Sequence, residues 1–314
     1  LWQPRGWTSR RWLFSWKELW SPEEIRLSGI PSAALPCNPK NCTRVAIATW
    51  NARALLHAKP EVQSCKFKRV DALLKSNDIV LLQECHGSLE LMEATFYHYR
   101  KTHWIAYAPG ASADEAGMIS LHSKNTFACQ FVFTSKVLAQ GRVLLSRMSQ
   151  IDSQITTINV HNHNLSMDDI LTIKGVIDEL DAEVASDPTK YSYFLAGDFN
   201  VLERQAPVLN IARPEDIAST QLPAQTSSGT QLHVQTSSHS KAFVDMFKNC
   251  VELCADGYTH FNSGTNKLNY IDRIFIGCPA WFLTAHSCSG KAEDPVWWHQ
   301  RGLSDHAPNS ATIA

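Results

Sequence analysis

Tyr191-Ser192-Tyr193-Phe194-Leu195-Ala196-Gly197-Asp198-Phe199-Asn200 is a short apolar and aromatic stretch that ends at a glycine and two polar residues. Such a run predicts a buried strand, and Gly197 permits a sharp turn or the close approach of another backbone. Because residues two apart in an extended segment point the same way, Asp198 and Asn200 are expected to face one common target. The plain alternative is an Asx turn that closes a core strand.

The composition is that of a globular protein with an uneven distribution of charge. The chain has 314 residues, 44% hydrophobic and 19% charged, and a formal net charge of -1. That balance excludes a chain-wide basic field for nucleic acids. Residues 1–70 carry 12 Lys and Arg against 4 Asp and Glu, whereas the remainder carries 17 against 26. The acidic body fits either a solvated surface or carboxylates gathered around a cation.

The sequence divides into an extension and one large domain. Residues 1–43 form a basic, Trp-rich extension with a Pro-containing linker, and residues 44–314 form the domain, with a polar loop insertion at about 219–240. Aromatic residues among basic ones favour nucleic-acid contact, whereas the alternative is an extension that packs on the domain. The first residue is Leu1 rather than Met, so we expect a piece of a longer protein.

Cysteine usage and hydropathy bear on the compartment. The nine cysteines show no paired framework, which favours a reducing, intracellular environment, and a nuclear one if genomic DNA is the substrate. Cys250 and Cys254 with His260 are too loosely spaced to predict a zinc site. No apolar run approaches the ~20 residues of a membrane span, so no membrane partner is expected.

Alternating and helical patterns predict a sandwich of two sheets flanked by helices. Strands are expected at 45–51, 78–84, 191–198 and near 103–108, 117–122, 127–134, 142–150, 154–161, 269–277, 281–288 and 307–313. Helices are expected at 61–76, 168–186 and near 240–250. Short connections between several strands favour antiparallel pairing.

Six predicted strand ends carry polar side chains, namely Asn51, Glu84, His161, Asp198 with Asn200, Asp272, and Asp305 with His306. Glu84 and Asp305 are hard oxygen ligands of the kind that Mg²⁺ prefers. A buried Asp272 beside His306 would fix the imidazole tautomer and raise its pKa. The set suits hydrolysis of a phosphate ester.

These residues resemble the endonuclease/exonuclease/phosphatase superfamily typified by deoxyribonuclease I. The resemblance rests on six motifs in the family order, namely Thr49-Trp50-Asn51, Leu82-Gln83-Glu84, Asn159-Val160-His161, Gly197-Asp198-Phe199-Asn200, Tyr270-Ile271-Asp272-Arg273 and Ser304-Asp305-His306. It implies a four-layered α/β/β/α sandwich with two mixed, mainly antiparallel sheets. It also implies a divalent metal, Mg²⁺ or Mn²⁺, at the top of the sheets.

The resemblance also implies roles for individual residues. Glu84 is similar to the main metal ligand, with Asn51 and Asp305 near the metal. Asp198 would position or deprotonate the attacking water, helped by Asn200.

Further roles follow from the same resemblance. His306 is similar to the catalytic histidine and Asp272 to its partner, while His161 would contact the phosphate or the leaving oxygen. Asn164 and His260 are candidate substrate contacts, and His163 is interpreted as a structural strand-end residue.

Within the superfamily, the sequence looks most like the endonuclease domain of a non-LTR retrotransposon. Tyr258-Thr259-His260-Phe261 and Tyr270-Ile271-Asp272-Arg273-Ile274 carry this likeness, and Val201-Leu202 stand where inositol-phosphate phosphatases have Tyr-Arg. The expected partner is double-stranded DNA. Two alternatives stay open: another nuclease or phosphatase of the superfamily, and a catalytically silent, element-derived remnant that binds nucleic acid.

Overall fold

The computed structural model describes residues 44–56, 59–126, 131–200, 209–210, 242, 245–247, 249–253, 257–277 and 288–313. Fifteen strands lie in these ranges: β1 (Val45–Asn51), β2 (Ile79–Gln83), β3 (His103–Ala108), β4 (Met118–Ser123), β5 (Val132–Ala139), β6 (Val143–Gln150), β7 (Ser153–His161), β8 (Tyr191–Asp198), β9 (Leu209–Asn210), β10 (Val251–Glu252), β11 (His260–Asn262), β12 (Lys267–Asn269), β13 (Asp272–Gly277), β14 (Cys288–Ala292) and β15 (Asn309–Ile313). The described helices are α1 (Pro60–Ser76), α2 (Leu89–Phe96), α3 (Met167–Ser186), α4 (Pro295–Gln300) and a 3-10 turn at Tyr97–Lys101.

The strands form two six-stranded mixed sheets and a small third one. The first sheet has the order β14-β15-β1-β2-β4-β3, and the second has the order β10-β13-β8-β7-β6-β5. Each large sheet contains one parallel pair, β1 with β2 and β7 with β8, and its other neighbours are antiparallel. Each parallel pair is joined by a helix, α1 or α3, as a parallel connection requires.

Three buried clusters arrange these elements in four layers. Ile47 and Leu81 of the first sheet pack with Phe194 and Ile274 of the second. The opposite face of the first sheet packs against α1, and the opposite face of the second packs against α3. The buried face of α3 is Ile170, Ile173, Ile177, Leu180 and Val184, the apolar set expected from the sequence. The predicted sandwich of two sheets flanked by helices is confirmed.

Several elements differ from expectation. Residues 127–130 of the strand expected near 127–134 lie outside the described residues, and the described part holds the start of β5, which runs from Val132 to Ala139 and is largely exposed. Residues 281–287 of the strand expected near 281–288 lie outside the described residues, and Cys288 is the first residue of β14. Helices α2 and α4 were not predicted, since 8 and 6 residues are too short for a helical period to stand out.

Some expectations fall outside the described residues. These are the Trp-rich extension 1–43, the polar loop at 219–240 and most of the helix near 240–250, so the domain boundaries stay predictions. Among the described helices, none combines the length and hydropathy that crossing a membrane requires.

Strand register brings the polar strand ends to one edge of the sandwich. In the second sheet His161 is paired with Asp198, and Asp198 with Asp272. In the first sheet Asn51 is paired with Gln83, the residue before Glu84, while Thr49 is paired with Asn309 at the start of β15. Residues far apart in sequence therefore lie side by side.

Gly197 allows this close pairing, since it has φ +149° and a Cβ built on it would lie 1.8 Å from the carbonyl oxygen of Val160. We expect Gly197→Ala to lower the free energy of unfolding by at least about 3 kcal/mol, because backbone rather than a mobile side chain blocks the added methyl group. Urea denaturation would measure this. Gly175→Ala is the matched control, because nothing lies within 4 Å of a Cβ there, and it should be neutral or stabilising. Equal stability of the two variants would contradict the steric argument.

Candidate active site

A buried histidine–aspartate pair lies at the centre of the clustered strand ends. His306 Nδ1 is 2.9 Å from Asp272 Oδ2, and both side chains are almost fully buried. Burial alone would lower the pKa of His306, but the negative charges of Asp272 and Asp198 raise it to about 10. The ring is therefore an imidazolium at neutral pH, with Nδ1–H donating to Asp272 and Nε2–H directed at the site.

Asp198, at the end of β8, faces this cation. Its Oδ2 lies 3.7 Å from His306 Nε2 and accepts a hydrogen bond from Asn51 Nδ2 at 3.0 Å. Its Oδ1 accepts from the backbone N–H of Asn200 at 3.0 Å. Burial raises the pKa of Asp198, opposed by the charge of His306 and reinforced by that of Asp272. Asp198 is thus a fixed carboxylate whose basicity exceeds that of an exposed aspartate.

A second polar pair joins Glu84 to His161. His161 Nε2 is 3.2 Å from Glu84 Oε1, and Arg142 Nη1 is 2.9 Å from His161 Nδ1. Because a guanidinium can only donate, Nδ1 accepts and the proton lies on Nε2, where it is directed at Glu84. Burial would raise the pKa of Glu84, but hydrogen bonds from His161 and Asn51 and the positive charge of His306 lower it to about 2. Glu84 is therefore ionised throughout the physiological pH range.

The backbone at Glu84 is unusual. Its φ is +50°, in the left-handed region, and the amides of Ala54 and Leu55 both approach its carbonyl oxygen, at 2.7 and 3.4 Å. Asn200, two residues after Asp198, also has a left-handed φ of +49°. Strained conformations of this kind persist where the surrounding structure fixes them, and they cluster at functional sites.

Asp305 lies at the outer rim of the site. Its Oδ2 forms an ion pair with Arg53 Nη1 at 3.0 Å and is 3.9 Å from His260 Nε2. The ring of His260 packs 4.6 Å from that of His306. Burial lowers the pKa of His260 to about 4, with the charge of His306 acting in the same direction, so His260 is neutral at pH 7.

The remaining candidates lie at the periphery. Asn200 and Asn164 are exposed, and Asn164 has a left-handed φ of +58°. No side-chain hydrogen bond joins Asn164 to the central pairs within the described part of the chain. His163 is also exposed, and its ring lies 5.8 Å from that of His161. The structure therefore brings Glu84, His161, Asp198, Asp272 and His306 together, places Asn51, His260 and Asp305 beside them, and leaves Asn164 at the margin.

Hydrogen bonds from neighbouring residues fix the end of β1 and the segment before β15 relative to each other. Ser304 Oγ donates to the carbonyl oxygen of Asn51 at 2.9 Å and accepts from the N–H of His306 at 3.1 Å. Trp50 Nε1 donates to the carbonyl oxygen of His306 at 3.2 Å. The triplets Thr49-Trp50-Asn51 and Ser304-Asp305-His306 are therefore held together by their own side chains.

Two groups offer oxygen ligands for a metal ion. Potential ligand atoms of Asp198, Asp272 and His306 all lie within 4.8 Å of one another, so this buried group could hold a cation. However, an imidazolium cannot ligate a metal, and its proton is shared with Asp272. Glu84 fits better, because it is ionised and its side chain is 27% exposed. The Asp305 side chain is 24% exposed and forms a surface ion pair with Arg53, which a cation could replace.

Lys66 is a buried cation that supports the loop after β1. It is 2% exposed, and its Nζ donates to the carbonyl oxygens of Ala52 and Arg53 at 2.7 and 2.5 Å. Burial lowers its pKa to about 8, the charge of Arg53 adds to this, and the anions Glu84 and Asp305, with the Cys85 thiol, oppose it. Lys66 thereby satisfies carbonyl groups that the left-handed turn at Arg53 and Ala54 leaves without a strand partner.

The lowered pKa of Lys66 predicts a change of stability with pH. Between about pH 8 and 10.5 the folded state has lost this proton while the unfolded state keeps it, so the free energy of unfolding rises with pH by up to roughly 3 kcal/mol. Lys66→Met is expected to remove this rise, measured by urea denaturation across that range. Lys68→Met, at an exposed position of the same helix, is the control. An unchanged slope in Lys66→Met would refute the assignment.

Sequence reasoning missed the residues that act through neighbouring strands. Arg142 reaches His161 only because β6 and β7 are paired with Val143 opposite Val160, and Arg53 reaches Asp305 across the first sheet. Gln83 and Asn159 form a similar cross-sheet bond, with Gln83 Nε2 donating to Asn159 Oδ1 at 2.6 Å. The only sequence signal for Arg53 was its position two residues after Asn51.

Comparisons with known proteins agree with this geometry. The model of the Endonuclease/Exonuclease/phosphatase family matches residues 48–306. Among curated proteins, none matches the sequence significantly.

Solved structures share the fold. The AP endonuclease LMAP from Leishmania major has a TM-score of 0.63 at 14% identity, covering 86% of this chain and 88% of that one. The 3′ phosphatase NExo from Neisseria, bound to a product DNA hairpin, has a TM-score of 0.52 at 19% identity, covering 86% and 99%. Truncated TDP2 from Caenorhabditis elegans has a TM-score of 0.50 at 16% identity, covering 86% and 97%. At these identities the likeness shows the fold alone.

Proposed function

This chain belongs to the endonuclease/exonuclease/phosphatase family, a group of metal-dependent phosphodiesterases, and we propose that it nicks double-stranded DNA in the manner of a non-LTR retrotransposon endonuclease. The observation that carries the proposal is the convergence of Glu84, Asp198 and the Asp272–His306 pair at one edge of the two sheets. Such a set can bind a phosphate, activate a water molecule and hold a cation.

In the proposed mechanism the substrate phosphate binds between the two histidines. The His306 imidazolium, held by Asp272, directs its Nε2–H at a phosphate oxygen and neutralises charge that develops there. His161, oriented by Arg142, lies on the other side, and its Nε2–H, which Glu84 shares in this structure, would also contact the phosphate or the leaving oxygen. Both donors are buried and fixed before substrate binds, so little reorganisation is needed.

Asp198 is the proposed base. Its carboxylate is oriented by Asn51 and by the N–H of Asn200, and burial raises its pKa. A water molecule that donates to Asp198 is placed for attack on the phosphorus, and Asp198 takes its proton. As the new P–O bond forms, the P–O3′ bond breaks; the 5′ phosphate stays on one product, and the leaving 3′ oxygen takes a proton from solvent to become the 3′ hydroxyl. Asn200, whose side chain is exposed, would orient the same water molecule or a phosphate oxygen.

Glu84 would hold the divalent cation, Mg²⁺ or Mn²⁺, with Asn51 and Asp305 near it. The donor set is made of oxygens, as such cations prefer. When bound, a divalent cation supplies Lewis-acid polarisation of a phosphoryl oxygen.

The choice of DNA rests on the resemblance of the Tyr258-Thr259-His260-Phe261 segment to retrotransposon endonucleases, and the structure shows what this segment contacts. Thr259 Oγ1, from the Tyr258-Thr259-His260-Phe261 segment, accepts the N–H groups of Ile271 and Asp272 at 3.1 and 2.9 Å. This segment, which carries the resemblance to retrotransposon endonucleases, thus fixes the start of β13. Two proteins of similar fold have been solved with DNA bound: NExo with a product DNA hairpin and D. rerio TDP2 with a single-strand DNA product. We propose the same class of partner for this chain.

A substrate panel tests the proposal. Purified protein with Mg²⁺ should convert supercoiled plasmid to open circle and leave 3′ hydroxyl ends that a DNA polymerase extends, while single-stranded RNA and a phosphoinositide stay intact. Cleavage of RNA or dephosphorylation of the phosphoinositide, with the plasmid left closed, would favour another activity of the superfamily. No reaction with any of the three would favour the silent remnant.

A further inference from the structure

An exposed tryptophan and an arginine lie on α4 at the same edge of the protein as the site. Trp297 is 43% exposed, and the Arg301 guanidinium lies 4.1 Å from the centre of its ring. Arg301 is exposed and forms no ion pair with any described residue. We propose that Trp297 and Arg301 bind the nucleic-acid strand beside the cut, with an unstacked base on the indole and a phosphate on the guanidinium; this rests on the proposed function.

Strand register places this pair at the catalytic edge. Ala292, the last residue of β14, is paired with Asn309, which is in turn paired with Thr49 near the catalytic end of β1. Helix α4 follows β14 directly and leads through Gly302 and Leu303 into Ser304-Asp305-His306. A strand of nucleic acid that crosses the catalytic edge therefore has α4 beside it.

Contacts on both sides hold helix α4, and with it Trp297, in a fixed position, as a surface for base stacking requires. Trp298, the neighbour of Trp297, is 3% exposed and packs 5.2 Å from the ring of Trp50, while its Nε1 donates to Glu293 at 3.1 Å. On the other side His299 packs 5.1 Å from the ring of Phe261, whose N–H donates to the carbonyl oxygen of Asp305. Movement of α4 is thus coupled to the site.

The charges around α4 favour an anionic partner. Glu293 forms an ion pair with Arg69, and the Asp294 carboxylate caps the helix by accepting the N–H of Val296 at 2.9 Å. Arg69 therefore balances the charge of Glu293, and Arg301, which directly follows α4, is a cation that no described acid pairs. Stacking on an aromatic ring combined with an arginine contact is the common mode of single-strand binding.

A second exposed aromatic–arginine pair, away from the site, provides a control. Tyr97 is 66% exposed and Arg100 lies 5.9 Å from its ring, but Arg100 is paired with Glu93. This pair precedes β3, whose first residue His103 is paired with Ser123 at the end of the sheet away from the site. Tyr97 should therefore contribute nothing to binding.

Fluorescence anisotropy of the full chain with a labelled single strand and a duplex of about 20 nucleotides, in EDTA, tests the proposal. Trp297→Ala should weaken binding roughly 5- to 100-fold, with the larger loss on the single strand, while Trp297→Phe keeps most of the affinity and Tyr97→Ala all of it. Arg301→Met should lower the slope of log affinity against log salt by about one. A purely structural role would leave that slope unchanged.

The outcomes separate this inference from the function it rests on. If the wild type nicks plasmid and Trp297→Ala binds both probes as tightly, the inference is wrong and the proposed function stands. If the wild type neither nicks nor binds DNA, the proposed function fails and the inference with it. If Trp297→Ala instead changes the sedimenting mass without changing DNA affinity, the surface joins copies of this chain and the inference is overturned.

Discussion

Asp198→Asn is expected to lower plasmid nicking by roughly 10³-fold or more while the protein stays folded. The substitution keeps the size and shape of the side chain but removes its ability to accept a proton. Asp198 is 1% exposed, and its two oxygens accept hydrogen bonds from Asn51 and from the N–H of Asn200. Loss of one of these two bonds lowers the free energy of unfolding by about 1–3 kcal/mol. Removal of a buried carboxylate charge, which is costly to keep out of water, offsets part of that loss. The measurement is the initial rate of nicking alongside the urea midpoint.

The control for Asp198→Asn is Asp178→Asn on α3. Asp178 is 60% exposed and forms only a surface ion pair with Lys174, so its variant should nick at the wild-type rate. If Asp198→Asn retains more than about a tenth of the wild-type rate, Asp198 is not the base. If Asp198→Asn loses activity and is also partly unfolded, the nicking rate of its folded fraction at a lower temperature shows whether loss of the base or loss of folding is the cause.

Glu84→Gln should be comparably severe, for a different reason. The variant keeps an oxygen that accepts from His161 Nε2, but it loses the negative charge that binds a cation. We expect nicking to fall by at least about 10²-fold at millimolar Mg²⁺ and to recover partly at higher metal concentration, whereas EDTA should abolish wild-type nicking. Titration of the metal followed by calorimetry gives a readout independent of activity, in which the variant binds more weakly.

Glu90→Gln is the matched control, since Glu90 is an exposed residue at the first turn of α2. Two results would argue against Glu84 as a ligand. One is wild-type metal affinity in Glu84→Gln, and the other is wild-type nicking in the presence of EDTA. Loss of nicking with unchanged metal affinity would move the cation to the Asp198, Asp272 and His306 group.

The architecture could be predicted because its elements carry strong local signals. The strands at Val45–Asn51 and Tyr191–Asp198 are apolar runs that end at polar residues, and the five-residue apolar face of α3 has a clear helical period. The polar strand ends were visible for the same reason, since a carboxylate such as Asp272 inside a buried strand is costly unless it is paired. In the structure it is paired, with His306 at 2.9 Å.

The sequence alone could not predict the register of the strands or the side-chain contacts between neighbouring elements. Arg142, Lys66 and Arg53 are ordinary basic residues in the sequence, and each finds its partner only after strands or a helix have packed. The buried state of Lys66 was hidden because nothing in the sequence distinguishes it from Lys68, the exposed lysine two residues later on α1. Helix α4, with Trp297, was hidden by its length of 6 residues.

The position of β15 in the first sheet has a consequence for synthesis of the protein. This strand, the last described, lies between β1 and β14, and it is the direct antiparallel neighbour of β1, the first described. A chain leaving the ribosome therefore holds β1 with one side unpaired until residue 313 has emerged, roughly 15 to 50 seconds after β1 at ordinary elongation rates. The second sheet needs no strand beyond β13 and can form earlier. His306 precedes β15 in the sequence, so the growing chain can complete its reactive centre only after this late segment has emerged.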